Sequence, residues 1–284
     1  MQPNTDVPLR DDLVYDVGMH RGEDTAYYLA RGFKVVAFEA APDLVEHCSD
    51  RFASELETGA LRIVAGAIVD PASADAERGT VRFYRHPSLT MWGTTDADWV
   101  QRREFVGEFE EIAVPAINFA ETLAETGIPH FMKIDIEGAD TLCLGALKNF
   151  EARPQYLSIE SEKFDFDALE GEFDTLGALG YSRFAVVQQG SIPGTKVTTT
   201  NRRGSPISYR FERDASGGFG TDVGPWLSRE QALKRYRSVF REYRMFGETS
   251  PVRKFRVGRI ILGHLPRVTK KSWPGWYDTH AARD

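Results

Sequence analysis

The chain has 284 residues, of which 42% are hydrophobic and 12% aromatic, a composition that can bury the core of one large domain. No apolar run reaches the ~18–20 residues that span a bilayer, and the first residues lack the pattern of a signal peptide. Cys48 and Cys143 lie far apart and match neither a disulfide framework nor a zinc cluster, so we expect a cytoplasmic protein.

The net charge of −7 is unevenly distributed along the chain. Residues 1–228 carry a net charge of −16, whereas residues 229–271 carry +10. An acidic body argues against a nucleic-acid substrate, because binding phosphates needs basic surface. The basic segment has two interpretations. It is either a solvated helix face that packs on the acidic body, or a surface that attracts an anionic small molecule.

The chain begins with the pattern of a strand, a glycine turn, a helix and a second strand. The first strand is predicted over Leu13–Asp16 and the helix over Glu23–Arg31. The second strand, over residues 33–38, is followed by Glu39, which lies 23 residues after Asp16. An acid at the tip of a second parallel strand can accept hydrogen bonds from both hydroxyls of a ribose.

The turn after Asp16 has the pattern D-x-G-x-x-x-G. A dinucleotide fold needs G-x-G-x-x-G, so that bare backbone can approach a diphosphate, but His20 and Glu23 occupy the positions of the later glycines. An acidic turn favours a ligand with ammonium and sulfonium charges, and S-adenosylmethionine is such a ligand. The alternative is a glycine turn that binds nothing.

The following segments alternate between apolar strand patterns and helical periodicity. Pro42 opens a helix that runs to about Thr58, and an apolar run predicts a third strand over residues 61–69. The later predicted elements are short strands over 81–85 and 111–115, a fourth strand over 131–136, a helix over 138–150, a fifth strand over 156–160, a helix over 166–179, a sixth strand over 181–188 and a seventh over 207–212. This order predicts an α/β, Rossmann-like sheet, mostly parallel and of seven strands, with helices on both faces.

The C-terminal part begins with a long amphipathic pattern. Ser228 is the predicted N-cap of this helix, and its apolar positions between residues 232 and 246 are typical of a face packed in a core. An aromatic group between residues 273 and 280 could cover the sheet as a lid or anchor the tail. The predicted organisation is a flexible N-terminus over 1–11, a main domain over 12–227 and a helical and irregular extension over 228–284 packed on it.

Three blocks of the sequence resemble the FkbM family of S-adenosylmethionine-dependent methyltransferases. They are Asp16-Val-Gly with Gly22, Ala37-Phe-Glu-Ala-Ala-Pro42, and Lys133-Ile-Asp-Ile-Glu-Gly-Ala-Asp140. Residues 117–123 are similar to the short helix that precedes the fourth strand in that family. The resemblance spans residues 12–190 and implies a class I methyltransferase fold and O-methylation of a hydroxyl on a sugar, glycan or natural-product scaffold. At His20 the family usually has Asn.

The cofactor site is expected beyond the carboxyl ends of the parallel strands. We predict that Glu39 binds ribose, that Thr25 holds the methionine carboxylate, and that Gly18 and Gly22 let the backbone approach the methionine part. Asp16 can orient the turn or take the ammonium through water, and small residues after the third strand leave room for adenine. The complete predicted cofactor set is Asp16, Gly18, Met19, His20, Gly22, Thr25, Glu39, Ala40, Gly66, Ala67 and Asp135.

The predicted catalytic residues are Asp135, His20 and Glu160. Lys133 and Asp135 share one face of the fourth strand, because side chains alternate along a strand. One interpretation is an ion pair of Lys133 that fixes the strand, and the other is that Asp135 acts as general base toward a substrate hydroxyl. Asp135 and Glu160 could instead hold a divalent metal ion. His20 is a second candidate base.

Two other functions remain open from the sequence. An NAD(P)-dependent oxidoreductase would use a related fold, but His20 and Glu23 replace the glycines that it needs. A non-catalytic binding protein on the same fold would bind the cofactor without turnover. The expected partner of the enzyme is a small-molecule or saccharide acceptor, which the basic segment would suit if the acceptor were anionic.

Overall fold

The structure is a computed structural model that describes residues 6–101, 107–136, 138–162, 165–246 and 276–284. Its strands are β1 (Leu9–Val17), β2 (Lys34–Glu39), β3 (Leu61–Ala65), β4 (Ala67–Ile68), β5 (Thr80–Arg85), β6 (Gly93–Thr94), β7 (Glu110–Ile117), β8 (Ile128–Ile134), β9 (Tyr156–Glu160), β10 (Arg183–Gln188), β11 (Lys196–Thr200), β12 (Pro206–Arg210) and β13 (Tyr277–Ala282). Its helices are α1 (Glu23–Ala30), α2 (Pro42–Arg51), α3 (Ala53–Glu57), α4 (Ala74–Arg78), α5 (Ala97–Gln101), α6 (Phe119–Thr126), α7 (Asp140–Leu147), α8 (Phe166–Ala178) and α9 (Arg229–Phe246).

The central sheet has seven strands in the order β10-β13-β9-β8-β1-β2-β3, which confirms the predicted α/β architecture. β1 pairs in parallel with β2 and β8, β2 pairs in parallel with β3, and β13 is antiparallel to β10. Two smaller sheets have the orders β4-β7-β5-β6 and β11-β12. Within the described ranges, no helix is long and apolar enough to cross a bilayer.

The chain divides into two compact units. Unit 1 comprises residues 1–157 and 198–209, and unit 2 comprises residues 158–197 and 210–284. The start of the main domain differs from the expectation, because β1 begins at Leu9, inside the segment predicted to be flexible. The predicted domain boundary at residue 227 stays a prediction.

Two predicted elements of unit 1 are broken in the structure. The helix expected over residues 42–58 is interrupted at Phe52, whose backbone (φ −116°, ψ 31°) leaves the helical region and separates α2 from α3. The strand expected over residues 61–69 is interrupted at Gly66, whose φ of +143° is accessible to glycine. Before Gly66 the chain pairs with β2, and after it β4 pairs with β7.

Residues 67–117 of unit 1 build the small four-stranded sheet. β5 and β7 are antiparallel, as the two short strands predicted there allow, and β6 returns along β5 as a short hairpin. The apolar faces of these strands pack against the start of α2 in one buried cluster: Ala41, Leu44, Ala67, Val69, Val81, Phe83 and Val114. Asn118 caps α6 by accepting a hydrogen bond from the Ala120 amide at 3.2 Å, so the predicted short helix is confirmed.

In unit 2, β10 and β13 pair over six residues and α9 packs its apolar stripe inward. Ser228 caps α9 through its hydroxyl, which accepts from the Gln231 amide at 3.3 Å, while the Gln231 side chain accepts from the Ser228 amide at 2.9 Å. Ala232, Tyr236 and Val239 are each at most 1% exposed. The predicted N-cap and packed face of this helix are therefore confirmed.

The prediction for the seventh strand was wrong. Residues 206–210 form β12, which pairs only with β11 among the described strands and alternates between exposed and half-buried positions. The seventh strand of the central sheet is β13, in which all six residues are buried. Its polar centre, Asp278-Thr279-His280, hides the apolar pattern by which a buried strand is usually recognised.

Candidate functional site

The turn that follows β1 is held by the backbone of β2. The amides of Gly18 and Met19 donate to the Phe38 carbonyl at 3.2 and 2.9 Å. Gly18 has a φ of +92°, and a Cβ atom there would lie 1.9 Å from the carbonyl oxygen of Asp135. A Cβ at Gly22 (φ +82°) would lie 2.3 Å from the Phe52 ring. The packing of the chain itself therefore requires both glycines, whether or not a ligand approaches them.

Glu39, at the end of β2, is only 8% exposed and closes this turn. One carboxylate oxygen accepts from the His20 amide at 2.8 Å and the other from the Ala41 amide at 2.9 Å. Burial raises the pKa of Glu39 to about 7, although these amides act in the opposite direction. Each oxygen has two acceptor sites, so each can accept one further hydrogen bond. Two further donors are what the hydroxyls of a ribose provide.

A lysine lies among three carboxylates at the end of β8. The Nζ atom of Lys133 is 3.6 Å from Asp16 Oδ1, 3.6 Å from Asp24 Oδ2 and 3.4 Å from Asp135 Oδ2. It also donates to the Gly18 carbonyl at 3.3 Å. The predicted ion pair of Lys133 is present, but Asp24 was not foreseen, because an acid in the first turn of a helix is usually explained by the helix dipole.

Asp16 is completely buried beneath the turn. Its Oδ2 atom accepts a hydrogen bond from the Thr25 hydroxyl at 2.6 Å. Its Oδ1 atom accepts none from the part of the chain that is described. The pKa of Asp16 is raised to about 6, chiefly by burial. The charge of Asp24 acts in the same direction, and the charge of Lys133 acts in the opposite direction. In this arrangement the single hydroxyl proton of Thr25 is donated to Asp16, and the predicted contact of Thr25 with the methionine carboxylate stays a prediction.

His20 adopts the left-handed conformation, with a φ of +52°. Its Nδ1 atom lies 3.2 Å from Glu23 Oε1, and its Nε2 atom lies 2.9 Å from the Thr90 hydroxyl. Burial acts to raise the pKa of Glu23, but the hydrogen bond and charge of His20 outweigh it and the pKa is lowered. Asn and His are both enriched among non-glycine residues in this conformation, which gives a physical reason for finding either of them here.

The remaining predicted cofactor residues differ in their surroundings. Met19 is 2% exposed, and Ala40 is partly buried after Glu39. A Cβ atom at Gly66 would lie 2.5 Å from the Pro115 carbonyl oxygen, and Ala67 is buried in the core of the small sheet. The prediction that Gly66 and Ala67 leave room for adenine stays a prediction.

Asp135 follows directly after β8 and is the most accessible acid of the Lys133 cluster, with 38% of its side chain exposed. Its amide donates to the Val17 carbonyl at 2.9 Å. The next loop is held by Asp140, whose carboxylate accepts from the Ile136 and Gly138 amides at 3.2 and 3.3 Å. Glu160 is the half-buried last residue of β9, and its predicted pairing with Asp135 stays a prediction.

The basic helix and the aromatic group near the C-terminus have different surroundings. Arg229 and Arg237 of α9 form ion pairs with Asp174 and Glu170 of α8, at 2.6 and 3.7 Å. Tyr277 and the residues after it form β13, so they are part of the sheet and not a lid over it. Trp276 is 45% exposed, and residues 247–275 of the basic and aromatic segments lie outside the described residues.

The profile of the methyltransferase FkbM domain matches residues 16–182, more than half of the chain. The chain belongs to the FkbM methyltransferase family. This family match and the seven-stranded α/β sheet confirm the family and the fold class inferred from the sequence. A comparison with curated proteins finds no match.

Solved structures similar to this FkbM methyltransferase share little sequence with it. Methyltransferase FkbM from Methylobacillus flagellatus KT is 18% identical, with 60% of this chain and 38% of that chain covered and a TM-score of 0.38. Precorrin-6y C5,15-methyltransferase from Geobacter metallireducens GS-15 is 12% identical, with 72% and 78% covered and a TM-score of 0.35. The O-methyltransferase TomG from Streptomyces achromogenes, solved with S-adenosylmethionine, is 12% identical, with 69% and 70% covered and a TM-score of 0.32.

Membership of the FkbM family implies S-adenosylmethionine, and the residues of this chain fit that cofactor. The Glu39 carboxylate, which accepts from the His20 and Ala41 amides at the end of β2, can accept further hydrogen bonds. Asp16 Oδ1 is a buried acceptor without a donor among the described residues. Three carboxylates surround the single charge of Lys133, which leaves an excess of negative charge for a cationic ligand. When bound, the cofactor would supply an activated methyl group beside these residues.

A divalent metal fits these residues poorly. Among the described residues, no group of three or more His, Cys, Asp or Glu side chains could hold a metal ion. The Lys133 ammonium lies 3.4 Å from Asp135 and would repel a divalent cation there.

Proposed function

We propose that this FkbM methyltransferase is an O-methyltransferase that methylates a hydroxyl of a sugar, glycan or natural-product scaffold. The observation that carries this proposal is the position of Asp135. It is an accessible carboxylate at the carboxyl end of β8, whereas Asp16 and Asp24 beside it are buried. We call the turn after β1, residues 18–22, the cofactor turn. An accessible carboxylate next to this turn suits the removal of a proton from a bound hydroxyl.

In this proposal each residue has one task. Asp135 accepts the proton of the acceptor hydroxyl. The oxygen of that hydroxyl takes the methyl group from the sulfonium of S-adenosylmethionine, which leaves S-adenosylhomocysteine. Lys133, whose Nζ atom lies 3.4 Å from Asp135 Oδ2, holds this carboxylate in position. Glu39 holds the cofactor ribose. Much of the rate enhancement then comes from holding the hydroxyl in line with the methyl group, since the base needs only to remove a proton.

His20 suits positioning better than catalysis. Both of its ring nitrogens already face partners, Glu23 on one side and Thr90 on the other. A base engaged in this way would have to break one of these contacts before it could take a proton from an acceptor. We therefore expect His20→Asn to keep turnover at saturating acceptor, and Asp135→Asn to remove most of it.

The charge of the acceptor is a separate question. Arg229 and Arg237 of the basic segment pair with acids of α8, and the cluster around Lys133 is itself acidic. A neutral, hydroxyl-bearing acceptor fits these described residues better than an anionic one. If the acceptor is anionic, its KM should rise with ionic strength, because exposed charges are screened beyond about 8–10 Å at physiological salt.

The test combines a binding measurement with a turnover measurement. S-adenosylhomocysteine binding is measured by calorimetry, and methyl transfer to a panel of sugars and hydroxylated natural products is followed by mass spectrometry. Asp135→Asn should lower turnover about 10²–10⁴-fold and leave S-adenosylhomocysteine affinity within a few-fold. Glu39→Ala should weaken that affinity by about 1.5–3 kcal/mol per lost hydrogen bond to the carboxylate.

The control for these variants is Asp75→Asn, which removes an exposed carboxylate paired with Arg78 in α4. It should change neither binding nor turnover. Full turnover in Asp135→Asn would exclude Asp135 as the base. Cofactor binding by the wild type without transfer to any member of the panel would favour a non-catalytic binding protein, and measurable NAD binding would favour the oxidoreductase.

A further inference from the structure

Residues 86–92, which we call the tip loop, connect β5 with β6. Hydrogen bonds among its own residues hold this loop in a turn. The His86 amide donates to the Trp92 carbonyl at 3.2 Å, and the Trp92 amide donates to the Leu89 carbonyl at 2.8 Å. The Nδ1 atom of His86 accepts from the amides of Ser88 and Leu89 at 3.1 and 3.0 Å. The tip loop is therefore a formed turn, and its Trp92 ring also packs edge-on against Trp99 of α5, with the ring centroids 5.9 Å apart.

A hydrogen bond joins the tip loop to the turn after β1. The Thr90 hydroxyl lies 2.9 Å from His20 Nε2. On the other side of the ring, Glu23 Oε1 lies 3.2 Å from Nδ1 and requires a proton on that nitrogen. In a neutral His20, Nε2 is then an acceptor and Thr90 donates to it. The Glu23 carboxylate thus fixes both the orientation and the tautomer of the ring.

His20 is also attached to the residue that would bind ribose. Its backbone amide donates to Glu39 Oε2 at 2.8 Å. His20 therefore connects two parts of the site. Its backbone binds Glu39, and its side chain binds the tip loop. The left-handed backbone of His20 directs these two connections, and few residues other than Gly, Asn, Asp and His adopt it readily.

We infer that His20 is a positioning residue that couples cofactor binding at Glu39 to the placement of the tip loop, and that the tip loop forms one wall of the acceptor site. The inference rests on the proposed function. The loop carries Met91, which is 44% exposed, next to the half-buried Trp92. An apolar wall of this kind would take an acceptor with an apolar face beside its hydroxyl, such as the C–H face of a sugar or an aromatic ring.

Coupling of this kind is reciprocal. If the bound cofactor holds the tip loop in place, less conformational entropy is lost when the acceptor binds, and the acceptor affinity rises. The acceptor must then strengthen cofactor binding by the same factor. Asn at position 20 would preserve the backbone connection to Glu39, but its shorter side chain would lose the contact with Thr90. The imidazole of His20 is therefore needed for the contact with the tip loop, whereas the contact with Glu39 needs only the backbone of this residue.

The test is hydrogen–deuterium exchange of residues 86–92 with and without S-adenosylhomocysteine. In the wild type, S-adenosylhomocysteine should slow exchange of the tip loop about 5-fold or more. Thr90→Val should abolish this protection, and by reciprocity it should weaken S-adenosylhomocysteine binding by no more than about the same factor. Thr90→Ser keeps a hydroxyl and should restore the protection, which a purely structural effect of the mutation would not.

The matched control is Thr80→Val, the same substitution at an exposed position of β5. It should behave as the wild type. Protection that persists in Thr90→Val, or that is not restored in Thr90→Ser, would overturn the inference. Wild-type protein that binds S-adenosylhomocysteine without protecting the tip loop would refute the coupling alone, whereas failure to bind S-adenosylhomocysteine would refute the proposed function as well.

Discussion

Lys133 and Asp16 face each other across the parallel pair β8 and β1, with Nζ 3.6 Å from Oδ1 and both side chains buried. Ions are desolvated at this depth, and their attraction offsets that penalty only when further contacts satisfy them. Here Lys133 also faces Asp24 and donates to the Gly18 carbonyl, so the ion pair connects the central sheet, α1 and the cofactor turn.

Removing this lysine should strongly destabilise the protein. Lys133→Met leaves Asp16 and Asp24 buried without their cation, and we expect a loss of about 3–5 kcal/mol in urea denaturation. The loss should be larger at pH 8 than at pH 5, because a protonated Asp16 needs no partner. The control is Lys34→Met, which breaks an exposed pair with Asp12 and should cost at most about 1 kcal/mol. Equal losses in both variants would contradict the prediction.

Gly18 should be intolerant of any side chain. In Gly18→Ala, a Cβ atom would lie 1.9 Å from the Asp135 carbonyl oxygen, on a backbone with a φ of +92°. Gly59→Ala is a matched control, because Gly59 has a φ of +69° but no atom within 4 Å of its Cβ position. Left-handed strain alone costs about 1–2 kcal/mol. Gly18→Ala should lose clearly more than Gly59→Ala in urea denaturation, and a similar loss would show that the turn can move away from Asp135.

Glu39 should make the apo protein less stable as the pH rises. Its pKa is raised from 4.5 to about 7, so between these values the folded state binds more protons than the unfolded state. The free energy of unfolding should then fall from pH 4.5 to pH 7, by about 3 kcal/mol from this group. Glu39→Gln does not titrate and should flatten this slope in urea denaturation at a series of pH values. An unchanged slope would assign the pH dependence to other groups.

Cofactor binding should release protons from the same carboxylate. Ribose hydroxyls that donate to the ionised Glu39 would lower its pKa, because they stabilise the charged form. Near pH 6.5, S-adenosylhomocysteine binding should therefore release a fraction of a proton per site. Calorimetry in buffers of different ionisation enthalpy measures this release. It should disappear in Glu39→Gln, and proton uptake on binding to the wild type would contradict the assignment of ribose to Glu39.

Local patterns predicted the first half of the site well. The strand, turn and helix around Gly18 and the second strand ending in Glu39 lie where their periodicity and spacing placed them. The contacts of Lys133 with Asp24 and of His20 with Thr90 could not be predicted, because they join residues that only the tertiary fold brings together. Spacing along one element gives no information about such pairs.

Strand order was the less predictable part of the fold. The pattern over residues 207–212 alternates like a strand, but β12 occurs in a separate two-stranded sheet. β13 is enriched in polar residues whose partners are distant in sequence: the Thr279 hydroxyl lies within hydrogen-bonding distance of Ser161 and Tyr236, at 2.5 and 2.8 Å. A hydropathy pattern reads these residues as solvent-exposed, although in the structure they are buried.

The final prediction concerns β13, which should be essential for unit 2. A stop codon after Trp276 removes residues 277–284, and with them the six-residue pairing of β10 and the hydroxyl partner of Tyr236. A buried hydroxyl left without one of its partners costs about 1–3 kcal/mol, and the unpaired edge of β10 would expose further polar backbone. We expect this truncated protein to aggregate or to unfold at clearly lower urea concentration than the full chain.

The control for this truncation is a stop codon after Ala282, which keeps β13 and removes only Arg283 and Asp284. It loses the hydrogen bond between Ser182 and Asp284 and the contacts of Arg183 with Arg283 and Asp284, and it should remain much closer to the full chain in solubility and stability than the protein that ends at Trp276. Tyr236→Phe, which keeps the ring but removes the hydroxyl, should lose about 1–2 kcal/mol and so separate the hydrogen-bond contribution from that of strand pairing. If the protein ending at Trp276 is as stable as the one ending at Ala282, β13 contributes nothing to unit 2, and the structural role assigned to it here is wrong.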